Sequence, residues 1–80
     1  MPKKAEVNHT VDCIGLYCPE PVFRARQEID KMVVGQVLEI IADDPAAEQD
    51  IQSLVRRTGQ KLLEIRKEGS HFRFLIKKIK

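Results

Sequence analysis

Apolar and polar side chains alternate singly from Val7 to Cys13. Val7, His9, Val11 and Cys13 fall on one side, and Asn8, Thr10 and Asp12 on the other. A period of two predicts a half-buried strand. Gly15 breaks that run and allows a loop. Val22, Ala25, Ile29 and Met32 then recur at spacings of three and four, while Arg24, Arg26, Glu28 and Lys31 fill the other faces. That pattern predicts an amphipathic helix closed by Gly35. Val37 to Ala42, rich in β-branched residues, predicts a second strand. Asp44-Pro45 is expected to open a second helix, the acid as N-cap and the proline at the first helical position. Ala47, Ile51, Leu54, Val55 and Thr58 would form its inner face, and Gly59 would close it. Leu62 to Lys67 and His71 to Ile79 predict two more strands, joined by a turn at Glu68-Gly69-Ser70.

The predicted order is β-α-β-α-β-β. Each strand keeps a more polar side, seen in Glu39, in Glu64 and Arg66, and in His71, Arg73 and Lys77. Strands covered on both faces would read as unbroken apolar runs. The expected architecture is therefore an α/β two-layer sandwich, with two helices on one face of a four-stranded sheet. The β-α-β units imply parallel strands with right-handed crossovers, and the last hairpin is antiparallel, so the sheet is mixed. Residues 7–80 form one expected domain, and residues 1–6 a disordered lead-in.

Composition narrows the function. The chain has 80 residues and a net charge of +2. A domain this small buries roughly 60% of its unfolded surface, too little for a deep, walled active site. The near-balanced charge lacks the clustered basic face of a nucleic-acid binder. No stretch is long and apolar enough to span a membrane. The charged start, Met1-Pro2-Lys3-Lys4-Ala5-Glu6, lacks the apolar segment of a secretory signal, so a cytoplasmic location is expected. In that reducing compartment Cys13 and Cys18 are expected as thiols.

Cys18 carries the chemistry. It lies in Leu16-Tyr17-Cys18-Pro19-Glu20-Pro21, between the first strand and the first helix. The first N–H groups of a helix have no internal partner, so prolines cost little there; Pro19 is expected at the first helical position and Pro21 at the third, with Pro21 as the alternative start. The positive helix end lowers a thiol pKa from about 8.5 toward roughly 3.5–7.5. Glu20 opposes this shift, and Arg24, one turn on, offsets Glu20. The structural alternative for Cys18 is a small buried side chain.

Asp12, Gly15-Leu16, Cys18-Pro19-Glu20-Pro21, Gly35 and Ala42-Asp43-Asp44-Pro45 resemble the TusA/SirA-type sulfur-carrier family. The resemblance covers nearly the whole chain from Val7. It implies a two-layer α/β sandwich whose motif cysteine carries sulfur as a persulfide. Cys18 would be that residue, with Gly15, Leu16, Pro19 and Pro21 as its scaffold. It implies two kinds of partner, a sulfur donor such as a cysteine desulfurase and a downstream acceptor protein, in tRNA thiolation, cofactor synthesis or sulfur oxidation. Many members have arginine before the glycine, where this chain has Ile14. Such a carrier needs an accessible thiolate and no cofactor or metal of its own.

Tyr17, Glu20, Arg24 and Arg26 are candidate partner contacts, and Lys31, Arg56 and Arg57 can steer an acidic partner. Cys13 shares a face with Val11 and is expected in the core. His9, Cys13, Cys18 and His71 match no zinc-ligand spacing. Asp43 reads as a loop acid and Asp44 as a cap. Phe72, Phe74 and Ile76 read as core, and Lys77, Lys78 and Lys80 as a solubilising tail. Two other functions fit the pattern less well: an RNA-binding or regulatory module, and a redox sensor pairing Cys13 with Cys18.

Overall fold

A computed structural model describes residues 7–17 and 19–80. The expected lead-in 1–6 and Cys18 lie outside the described residues. The elements follow the predicted order: β1 (His9–Cys13), α1 (Glu20–Lys31), β2 (Val37–Ala42), α2 (Ala47–Thr58), β3 (Lys61–Glu68) and β4 (His71–Lys77). They form one four-stranded sheet in the order β1-β2-β4-β3. β1 pairs parallel with β2, and β4 pairs antiparallel with both β2 and β3.

The second β-α-β unit therefore does not make adjacent strands. β4 folds back from the Gly69-Ser70 turn and takes the slot between β2 and β3. Gly69 supplies the positive φ (63°) that this tight reversal needs. Leu63 is an extra residue in β3, because pairing shifts between Leu62 and Glu64. Without that bulge, Glu64, Arg66 and Glu68 would point into the core.

One face of the sheet meets both helices. Cys13, Leu38, Ile40, Ala42, Phe74 and Ile76 pack there against Ala25 and Ile29 of α1 and Ala47, Ile51, Leu54 and Val55 of α2. The other face is open and charged. Arg73 bridges Glu39 (2.6 Å) and Glu68 (3.0 Å), and Arg66 bridges Glu64 (2.7 Å) and Glu68 (3.5 Å). A hydrogen bond from Arg73 holds the Glu68 carboxyl below its ordinary range. The arginines of this face are thus engaged by carboxylates, which leaves it poorly suited to nucleic acid.

The helix ends differ from expectation in three places. Pro19 is the N-cap of α1 and Pro21 its second residue, each one position earlier than expected, because Glu20 already adopts helical geometry and its N–H reaches the Tyr17 carbonyl (2.8 Å). α1 stops at Lys31, well before Gly35, since Met32 turns extended (φ −82°, ψ 157°). α2 starts at Ala47 with Ala46 as its N-cap. Asp44 instead builds the turn before the helix, its Oδ1 accepting from the Ala46 N–H (3.1 Å) and its carbonyl from the Ala47 N–H (2.9 Å). Pro45 lies inside that turn.

Lys78 is no loose tail residue. Its Nζ donates to the carbonyls of Ile29 (2.7 Å) and Met32 (2.9 Å), where α1 ends. A cation there satisfies orphan carbonyls and the negative helix end together. Gln60 fixes the following residues, its Oε1 accepting from the N–H groups of Ile79 and Lys80. Lys78→Ala is expected to cost about 1 kcal/mol, or roughly 4–8 °C of melting temperature. Lys77→Ala, at an exposed position, serves as the control, and equal melting temperatures for the two would refute the clamp.

Candidate functional site

The link from β1 to α1 is short and heavily tied. Three successive N–H groups each have a defined acceptor: Ile14 donates to Asp12 Oδ1 (2.9 Å), Gly15 to Asp43 Oδ1 (3.0 Å) and Leu16 to the Cys13 carbonyl (3.1 Å). Gly15 has φ +82°, a left-handed turn that side chains with a Cβ rarely adopt. Leu16 packs partly against the core, which anchors the end of the turn. Tyr17 then swings out and is 75% exposed. On the far side of position 18, Pro19 caps α1 and Pro21 is buried. The loop is thus held at its entry by hydrogen bonds and at its exit by a buried proline.

Beside it runs a cleft of about 290 Å³ between α1 and α2. Pro19, Val22, Phe23 and Arg26 line it from the first helix, and Asp50, Ser53, Leu54 and Arg57 from the second. Phe23 is 55% exposed, although a phenylalanine at a free surface forfeits burial. Asp50 Oδ2 is buried without a hydrogen-bond partner. An apolar floor, an exposed ring and two arginines suit contact with another protein more than enclosure of a small substrate.

A sequence profile described as Sulfurtransferase TusA matches residues 9–78, from the first residue of β1 to one beyond β4. The chain belongs to this TusA family. A relative from Archaeoglobus fulgidus, assigned as a sulfur carrier protein, is 58% identical over 71 residues, covering 88% of this chain and 92% of that protein. The sulfur carrier protein TusA of Allochromatium vinosum is 42% identical over 74 residues, covering 92% of this chain and 97% of its own length. The crystal structure of a SirA-like protein from Desulfitobacterium hafniense superposes with a TM-score of 0.81 at 24% identity, covering 91% of this chain and all of that one. That likeness establishes the shared two-layer fold. The family and its named relatives support a sulfur-carrier role, which implies a sulfur donor and a sulfur acceptor as partners.

In this TusA-family chain, Gly15, Leu16, Tyr17 and Pro19 lie on the β1–α1 link, and Pro21 lies in the first turn of α1. Glu20 and Arg24 are exposed and pair loosely (3.7 Å). Arg26 reaches the interhelical cleft with Pro19 and Arg57, while Arg24 does not line it. The structure adds Phe23, Asp43 and Asp50. The only hint of the first was a phenylalanine off the apolar stripe of α1; Asp43 and Asp50 sit among residues that a linear reading assigns to turns and solvent.

His9 and His71 are on opposite faces. His9 ties β1 to α1, with Nδ1 2.9 Å from Glu28 and Nε2 3.2 Å from Gln36, whereas His71 faces Glu68 (3.5 Å) on the open side. That separation keeps the two imidazoles from sharing one metal ion. No helix among the described residues is long and apolar enough to cross a membrane.

Cys13 is fully buried. Burial pushes its thiol above the ordinary 9.0, with Arg24 opposing and Asp12 and Glu20 adding to the rise. A buried, reluctant thiol is a poor resolving partner for a redox pair. The unfolded chain gives up this proton first as pH rises, so the contribution to stability is whole below pH 9.0 and is lost as pH climbs through the folded value. Wild type is expected to lose stability more steeply than Cys13→Ala above that pH, in urea melts stepped from pH 7 to pH 10.5; parallel curves would contradict it.

Proposed function

We propose that the chain is a cytoplasmic sulfur carrier that accepts sulfur as a persulfide on Cys18 and passes it to an acceptor protein in a relay. The observation that carries this reading is the run Cys18-Pro19-Glu20-Pro21 at the start of α1, in a chain of the TusA family. Cys18 directly precedes the N-cap in sequence, and backbone dipoles favour negative charge at that helix end. Glu20 sits in the same first turn and opposes a thiolate, and the nearby Arg24 offsets it.

The step needs no cofactor of the chain's own. The Cys18 thiolate attacks the outer sulfur of a persulfide on the donor. A new S–S bond forms at Cys18, the donor's S–S bond breaks, and its electron pair leaves on the donor cysteine as thiolate. The proton of the terminal S–H travels with the transferred sulfur. Atoms and charge balance, and the Cys18 sulfur is oxidised as the donor sulfur is reduced. Discharge runs the same exchange toward an acceptor thiolate. Donor and acceptor complete the site in turn, and the interhelical cleft with Arg26, Arg57 and Phe23 offers them a surface. Domain limits of 7–80 are part of this proposal.

Radiolabelled cysteine with a cysteine desulfurase tests it. The chain is expected to take up label that a reductant releases and that an added acceptor thiol removes. Label absent, or label that survives reduction, contradicts the proposal.

A further inference from the structure

We infer that Asp43 is a positioning residue for sulfur transfer, acting on the loop that bears Cys18 through the Gly15 N–H. The inference rests on the carrier reading of Cys18. Asp43 follows Ala42, the last residue of β2, and Ala42 pairs with Cys13, the last residue of β1. Because the two strands run parallel, their ends leave the sheet side by side. The carboxylate therefore lands next to the turn that starts at Ile14. Its Oδ1 accepts from Gly15 at 3.0 Å, across 28 residues of sequence.

The neighbouring N–H groups find their acceptors at the end of β1, Ile14 at Asp12 and Leu16 at Cys13. Those bonds tie the turn to the strand it leaves. The Asp43 bond adds a tie to the residue that follows β2, so the turn is braced across two neighbouring strand ends. Nothing crowds Gly15, since a Cβ built there meets open space. The glycine serves a backbone conformation with φ +82°, and that conformation aims its N–H at the carboxylate. Displacing a reacting group by about 1 Å can cost up to roughly a hundredfold in rate, so a loosened turn shows directly in transfer between proteins.

The test compares wild type, Asp43→Asn, Asp43→Ala and Cys18→Ser. Asparagine keeps an oxygen acceptor and removes the charge, whereas alanine removes both. Two rates are read: sulfur loading from a cysteine desulfurase with L-cysteine, and alkylation by iodoacetamide at its high-pH plateau. Loading of Asp43→Ala is expected to fall about tenfold, with plateau alkylation within about twofold of wild type, because a small reagent needs no aligned approach. Asp43→Asn is expected to load like wild type. Amide exchange at Gly15 is expected to speed up about tenfold in the alanine variant alone. The inference is overturned if the alanine variant loads normally, if asparagine fails as badly as alanine, or if loading and alkylation fall together. Failure of the carrier reading looks different: Cys18→Ser would load as wild type does, or wild type would take no sulfur, and the role of Asp43 would fall with it.

Discussion

Cys18→Ser is expected to take up no sulfur from a donor, while Cys13→Ser takes it up at nearly the wild-type rate. The first substitution replaces a thiol with a hydroxyl, which forms no anion near neutral pH, so no nucleophile remains to attack a sulfane sulfur. Serine is close to cysteine in size, and the variant is expected to melt near wild type. The second substitution acts elsewhere. Cys13 is fully buried between β1 and the helices, and a serine there buries a hydroxyl, at a cost of about 1–3 kcal/mol in stability. The two variants therefore separate chemistry from folding. Intact-mass measurement and thermal melts on both read the pattern, and equal labelling of wild type and Cys18→Ser would sink it.

Phe74→Ala is expected to lower the melting temperature by roughly 15–30 °C. Phe74 is fully buried on β4, flanked in register by Ile40 of β2 and Ile65 of β3, and its ring lies 6.2 Å from that of Phe72. Truncating a buried phenylalanine costs about 3–5 kcal/mol, and each kcal/mol shifts a domain of this size by about 4–8 °C. A small domain holds a total of about 5 kcal/mol or little more, so the variant is close to unfolding at room temperature. Phe72→Ala, only half-buried near the turn, is expected to lose much less. Calorimetry on the pair decides it; a loss below about 5 °C for Phe74→Ala would show that the core is not centred on β4.

Much of this fold could be read along the chain because the signals are local. The period-two run into Cys13, the three-four spacing from Val22 to Ile29 and the β-branched stretch from Val37 each depend on neighbours within a few residues. The expected β2 limits, Val37 and Ala42, match the structure. What escaped is what depends on the third dimension. Nothing in the text of the sequence says that β4 inserts between β2 and β3, since a hairpin can dock on either side. Asp44 and Pro45 look like a cap and a first helical residue, and the same pair serves equally well in a turn two residues earlier. Lys78 reads as a tail charge until the strand carries it to the end of α1.

The site divides the same way. Gly15, Leu16, Pro19 and Pro21, proposed as the scaffold of the site, all lie within three residues of Cys18 and stand out along the chain. Phe23 and Arg26 on α1 and Asp50 and Arg57 on α2 form one cleft only because both helices lie on one face. Asp43 gains its role from the Cys13–Ala42 register, which pairs residues far apart in sequence.

The most direct test of the carrier account is to locate the added sulfur. Trypsin cuts after Lys4 and Arg24, which leaves both cysteines on one peptide, residues 5–24. After loading and alkylation, fragmentation between Cys13 and Cys18 separates them. The account predicts one extra sulfur on fragments that contain Cys18 and none on those that contain only Cys13. Extra sulfur on Cys13, or on neither residue, would contradict it.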